Sequence, residues 1–340
     1  MNYDISRTAM KPSHIEMAVN MELDADNPTF IWGSPGIGKS AVVKAVAESR
    51  FLDLIDLRAL LLDPVDLRGI PSTDDGVTRW LPPAFLPRDG EGVIFLDELN
   101  AAPPMVAAAL YGLVLDRELG EYRLPDGWSI IAAGNNETDM AVTNRMPTPL
   151  ANRFAHYEMV ADVNDWTAWA ASAGLDKRVI AFVNWRPELI HKFDPRSGSK
   201  AFASPRSWEM VSKKLGAGIP DAILTPAIAG TVGKEAASEF IGFMPIFDRL
   251  PDIRKVLTDP DNFDIPANAA EIGYAIAANI GSFADASNID NVVKVADRLG
   301  DTYSDEFAVL AVRMATNKDK RLLETSAVTE FLANNASLMF

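Results

Sequence analysis

Eight consecutive residues carry the clearest chemistry in this 340-residue chain: Gly33-Ser34-Pro35-Gly36-Ile37-Gly38-Lys39-Ser40. They fit G-x-x-x-x-G-K-[ST] at every fixed position, the pattern of a phosphate-binding loop. Glycines let the backbone turn so that successive N–H groups converge on one point. A helix that starts there adds its positive end. A polyphosphate is stabilised at such a point. Lys39 would reach its β- and γ-phosphates, and the Ser40 hydroxyl would ligate Mg²⁺. The flanks agree: Thr29-Phe30-Ile31-Trp32 is a short β-rich run, and Ser40 to Ser49 carries Ala and Val at helical spacing. The stretch predicts binding of a nucleoside triphosphate.

A second group of chemical residues follows the apolar run Val93-Ile94-Phe95-Leu96, which leads straight into Asp97-Glu98. Beside a phosphate-binding loop, Asp97 suits Mg²⁺, held directly or through water. Glu98 suits the orientation and deprotonation of an attacking water. Asn135 or Asn136, after the run Ser129 to Ala133, would stand near the γ-phosphate, with Asn135 preferred. An asparagine there could equally serve a turn. Arg153 is a candidate to stabilise transferred phosphoryl charge on a neighbouring subunit, with Arg145 competing for the role. Arg206, just after a helix cap, is a candidate to couple nucleotide state to a domain angle.

The elements that must hold these residues can be read from periodicity and punctuation. Strands are expected at Thr29–Trp32, Phe51–Leu57, Val93–Leu96, Ser129–Ala133 and Phe154–Val160, with helices over Ser13–Met21, Ser40–Ser49 and Ala101–Leu115. Four unbroken apolar residues before Asp97 predict a strand covered on both faces, as in a parallel sheet. Acids at its C-terminal end would lie on the edge where α/β sheets bind ligands. Dense Gly, Pro and Asp between Gly69 and Gly92 predict an ordered insertion with a hairpin at Asp75-Gly76, and Arg117 to Pro125 a second hairpin. From Asp162 onward helical patterns dominate. Ser204-Pro205 reads as a cap followed by proline at the first helical position, and Ser304 as a cap ahead of Asp305 and Glu306. A softer boundary is expected near Pro251 to Pro266.

Composition narrows the classes. A hydrophobic content of 48% with 23% charged residues is that of an ordinary soluble globular protein, long enough for two or three domains. The net charge of −15 argues against broad nucleic-acid binding through a basic surface. The absence of cysteine excludes disulfides, thiolate chemistry and cysteine-ligated zinc. His14, His156 and His191 stand far apart and form no metal-ligand spacing. The polar start, Met1 to Lys11, carries no secretory signal, and Ile272 to Ala284 is too short an apolar stretch to span a bilayer. A cytoplasmic protein without membrane attachment is expected.

The order of the phosphate-binding loop, Val93 to Glu98, Gly134-Asn135, Leu150-Ala151-Asn152-Arg153-Phe154 and Ser204-Pro205-Arg206 resembles an AAA+ ATPase. Within that superfamily it is most similar to the MoxR-like group of the helix-2-insert clade. Asp97-Glu98-Leu99-Asn100-Ala101-Ala102-Pro103-Pro104 resembles that group's D-E-I-N-R-A-P-P, with Ala101 departing from its arginine. The resemblance covers about residues 25 to 215, and the helical part beyond is longer than a minimal lid. It implies an α/β P-loop NTPase fold: a parallel five-stranded sheet over residues 1–162, an all-α lid over 163–250 and extra C-terminal helices over 251–340. It further implies ATP and Mg²⁺ at the interfaces of a hexameric ring, with Asn135 as first sensor, Arg153 as arginine finger and Arg206 as second sensor. Such ATPases remodel a protein client or partner, often one with a von Willebrand factor A-type domain. Two other readings are an NTPase motor serving a nuclease or other nucleic-acid machinery, and a nucleotide-gated scaffold.

Overall fold

The apolar runs become neighbouring strands of one sheet in the computed structural model, which describes residues 9–74, 76–136, 139, 146–248, 250, 252–262, 264–265 and 270–335. The chain divides into two compact units, Met1–Ala161 with Asp194–Gly198, and Asp162–Phe193 with Ser199–Phe340.

The first unit runs β1 (Ala9–Met10), α1 (Pro12–Asp24), β2 (Thr29–Trp32), α2 (Lys39–Ser49), β3 (Asp53–Arg58), α3 (Pro64–Arg68), β4 (Ile70–Asp74), β5 (Val77–Leu81), β6 (Gly92–Asp97), α4 (Pro104–Asp116), β7 (Glu118–Leu119), β8 (Tyr122–Arg123), β9 (Trp128–Gly134), α5 (Thr148–Ala151) and β10 (Ala155–Met159). The sheet order is β1-β10-β2-β9-β6-β3, and every pairing in it is parallel. The five expected strands are all present. A sixth, β1, joins the edge because Ala9 and Met10 pair with Glu158 and Met159 of β10.

Parallel strands need crossover helices, and these cover both faces. Alternate residues of each strand face opposite ways. Ile94 and Leu96 of β6, with Ile130 and Ala132 of β9, therefore pack on one side against Val106, Leu110 and Leu113 of α4. Val93 and Phe95, with Ile31 and Ile131, pack on the other side against Ile15 and Val19 of α1 and Val42, Val43 and Val46 of α2. That two-sided burial is why β6 is apolar without a break. The two insertions form hairpins: β4 pairs antiparallel with β5, and β7 with β8.

The second unit is helical among the described residues: α6 (Val163–Ser172), α7 (Lys177–Trp185), α8 (Pro205–Ala217), α9 (Leu224–Val232), α10 (Lys234–Asp248), α11 (Ile253–Thr258), α12 (Ala270–Phe283), α13 (Ile289–Thr302), α14 (Asp305–Lys318) and α15 (Ser326–Asn334). Buried aromatic rings gather around Phe182, whose centroid lies 5.3 Å from Trp208 and 5.2 Å from Phe240. Ser204 caps α8 as expected, through a reciprocal pair: the Ser207 N–H donates to Ser204 Oγ at 3.2 Å, and the Ser204 N–H donates to Ser207 Oγ at 2.8 Å. Ser304 corrects its expectation. It occupies the residue before α14, but its hydroxyl makes no capping bond, which leaves Asp305 and Glu306 in the first turn to meet the helix dipole.

Candidate functional site

Three strands of the first unit end on the same edge, and the candidate residues follow those ends. The phosphate-binding loop follows β2, Asp97 closes β6, and Asn135 comes directly after β9. With β2 between β10 and β9 in a parallel sheet, this edge is where such folds open a crevice for ligands.

The loop enters α2 through Gly38, whose φ of +105° lies where a side chain is disfavoured. Lys39, the first residue of α2, is only 9% exposed. Its ammonium donates to Gly33 O at 2.5 Å, to Ser34 O at 3.2 Å and to Asn135 Oδ1 at 3.1 Å. The charge thus rests on neutral oxygens of its own loop and of Asn135. Ser34 Oγ donates to Asp139 Oδ1 at 3.2 Å. The stretch Gly33 to Ser40, a cradle between β2 and α2, turns at Pro35 and Gly36.

Ser40 Oγ donates to Asp97 Oδ2 at 2.9 Å, and the Glu98 N–H donates to Asp97 Oδ1 at 3.0 Å. A hydroxyl and a carboxylate side by side are hard oxygen donors of the kind Mg²⁺ takes, since this ion keeps several waters and substrate phosphates rather than an all-protein cage. No group of three or more His, Cys, Asp or Glu side chains that could hold a metal occurs among the described residues. The donor set fits Mg²⁺ held through Ser40 and Asp97. Asp56, on β3, has its carboxyl held above the usual range, by partial burial first and by the charge of Asp97 second, with Arg58 pulling the other way.

Glu98 adopts a left-handed backbone, φ 57° and ψ 33°, at the head of a short 3-10 turn over Leu99–Ala101. A non-glycine residue there costs about 1–2 kcal/mol. The conformation ends the strand after Asp97. Asn100, inside that turn, donates from Nδ2 to the main-chain oxygen of Asn135 at 2.8 Å.

Of the sequence candidates, hydrogen bonds join Lys39 to Asn135 and Ser40 to Asp97, and the Glu98 main-chain N–H donates to Asp97. Asn135 rather than Asn136 offers its side chain to Lys39. Arg153 is not among them. It is exposed and precedes β10, whose first residue Ala155 pairs with Thr29 at the start of β2, so it stands at the opposite edge of the sheet. Its guanidinium makes no hydrogen bond or ion pair among the described residues. Arg145 lies outside the described residues. Arg206 sits exposed in the first turn of α8 in the second unit. Asn100 and Asp139 are site residues that the sequence reading left without a role. Asn100 stood inside the Asp97–Pro104 stretch, but only its spatial partner reveals what it does.

No family model matches the chain. An alignment of 138 positions, covering 37% of the chain, is 30% identical to midasin from Giardia intestinalis, of which the chain spans only 3%. Among solved structures, the Thermotoga maritima RuvB Holliday junction branch migration motor is 15% identical over 79% of this chain and 81% of its own, with a TM-score of 0.38. NtrX from Brucella abortus is 15% identical over 77% of this chain and 67% of its own, with a TM-score of 0.39. No activity is transferred from likenesses this distant. The fold, a P-loop α/β sheet followed by helices, rests on the strand order and the cradle themselves.

Proposed function

We propose that the chain is a Mg²⁺-dependent ATPase of the AAA+ type, acting in a MoxR-like manner as a ring that remodels or activates a partner protein. The observation that carries the hydrolytic part is the convergence of Lys39, Ser40, Asp97, Glu98 and Asn135 on one sheet edge, tied by bonds of 2.9 Å between Ser40 and Asp97 and 3.1 Å between Lys39 and Asn135. In this reading, backbone amides of residues 33–40 and the Lys39 ammonium bind the β- and γ-phosphates. Ser40 and Asp97 hold the metal, which when bound neutralises charge on the phosphate oxygens. Glu98 accepts a proton from the attacking water, and Asn135 orients that water or the γ-phosphate.

The partner protein is inferred from surface and charge. Both strands of the β4–β5 ribbon leave apolar side chains in water, with Ile70, Val77 and Leu81 all exposed. Directly opposed Ile70 and Leu81 make a patch better suited to a protein surface than to a phosphate backbone. A net charge of −15 favours the same choice. No helix among the described residues is long and apolar enough to cross a membrane.

Two variants test the hydrolytic reading. Lys39→Ala removes a ground-state phosphate contact and should weaken ATP binding about 100-fold. Glu98→Gln should bind ATP as the wild type does and lose about 10²–10⁴ in turnover, because it acts only on water in the transition state. Wild-type turnover in Glu98→Gln would remove Glu98 from the mechanism.

A further inference from the structure

We propose that Asn100 is a positioning residue for turnover, which holds the sensor Asn135 in register with Glu98; this rests on the ATPase reading above. Asn100 is 6% exposed and donates from Nδ2 to the Asn135 main-chain oxygen at 2.8 Å. Holding that carbonyl fixes the peptide plane after Asn135, and with it the bearing of the Asn135 side chain. The side chain in turn accepts from Lys39 Nζ at 3.1 Å. Asn135 is therefore gripped twice: its backbone by the turn behind Glu98, its amide by the lysine of the phosphate loop. Asn100 lies in the same 3-10 turn that Glu98 begins, so a shift of Asn135 is transmitted to the turn carrying the general base.

The local packing is built around this bond. An alanine at Gly134 would put its Cβ 2.3 Å from Asn100 Oδ1 and 2.7 Å from Asn100 Cγ. Only glycine lets β9 pass the amide this closely. The other amide atom, Oδ1, is buried and accepts no hydrogen bond. It faces the Gly134 main chain, where a weak C–H···O contact is the available partner. A buried amide with one atom unsatisfied is a poor way to fill space, since the orphan atom costs stability that an apolar side chain of the same shape would not. What the amide supplies, and leucine cannot, is the Nδ2 donor to Asn135.

The test compares the wild type with Asn100→Ala, Asn100→Leu, Asn135→Ala and the double variant Asn100→Ala/Asn135→Ala, measuring ATP dissociation constants, kcat, KM and thermal unfolding. Asn100→Leu keeps the volume, and so guards against a variant that merely fails to fold. The expected result is a loss of about tenfold in kcat for both Asn100 variants, with ATP affinity within about twofold of wild type. The double variant should be no slower than Asn135→Ala alone, because both changes act through one residue. Asn100 variants with wild-type kcat, or losses that multiply in the double variant, overturn the proposal. A wild-type protein that binds but does not hydrolyse ATP would refute the ATPase reading separately. In that case the carbonyl resonance of Asn135, in protein labelled with ¹³C-carbonyl asparagine, decides: it should move in Asn100→Leu, and an unmoved resonance overturns the bond to Asn100.

Discussion

Arg153→Ala asks whether one chain can complete its own site. The register of β10 on β2 runs from Ala155 opposite Thr29 to Glu158 opposite Trp32, with the phosphate loop beyond Trp32. Those three steps cover about 10 Å at about 3.3 Å per residue. Arg153 starts farther back still, and an outstretched arginine side chain adds only roughly 7 Å. The guanidinium therefore cannot touch a γ-phosphate bound in its own loop. If it acts in hydrolysis, it acts on a neighbour. Arg153→Ala should bind ATP almost normally, because Lys39, Ser40 and the loop amides are intact, while turnover falls by about 10³–10⁵, the range of arginine fingers. Sharing of the role with Arg145 would reduce that loss. Steady-state phosphate release is the assay, run on each variant and on mixtures. Mixing Arg153→Ala with Lys39→Ala should regenerate interfaces in which an intact loop faces an intact arginine, and wild-type specific activity should fall on dilution. Specific activity that stays flat down to demonstrable monomer, with no rescue in mixtures, would refute the ring argument.

Two further perturbations probe the scaffold under the site. Gly134→Ala forces a methyl against Asn100 and, at 2.9 Å, against Phe30 Cζ, so urea unfolding should give a loss of about 1–3 kcal/mol. Adding Asn100→Ala should recover only part of it, since the Phe30 ring remains; full recovery or none would refute the shared close approach. The Tyr157 hydroxyl donates to Glu22, and burial first, then that carboxylate, pushes its pKa up to about 12. A raised pKa in the folded state means that the folded chain keeps a proton which the unfolded chain loses near pH 10. Wild-type stability should therefore fall more steeply between pH 10 and 12 than that of Tyr157→Phe, and equal slopes would show that the phenol titrates freely.

The cradle of residues 33–40 was legible because its geometry is local: eight adjacent residues carry the turn and the helix start together. β6 was legible for a different reason. A strand covered by α1 and α2 on one face and α4 on the other has to be apolar at every position, and the acid that ends it must lie at the open edge. β1 left no such trace. Two residues carry no periodicity, and Ala9 and Met10 become a strand only because β10 offers an unpaired edge. Ser304 shows the reverse failure. The residue type and position suit a cap, yet whether the hydroxyl turns inward is decided by neighbours that the sequence does not order.

Asn100 marks the limit most clearly. Its bond to Asn135 spans 35 residues and joins the segments that follow two strands, β6 and β9, which meet only in the folded sheet. Sequence reading can name the residues that meet a phosphate, because the phosphate dictates their types. It cannot name the residue that aims one of them, because any donor at that point in space would serve. The missing information is the register of β6 on β9, where Leu96 pairs with Ala132. Given that register, Asp97 and Asn135 emerge from neighbouring strand ends, and the short turn after Glu98 can reach across the gap between them. The site is thus assembled at two levels. In the proposed ATPase reading, ligand chemistry selects Lys39, Ser40, Asp97 and Glu98, and sheet geometry then selects what can hold Asn135 beside them.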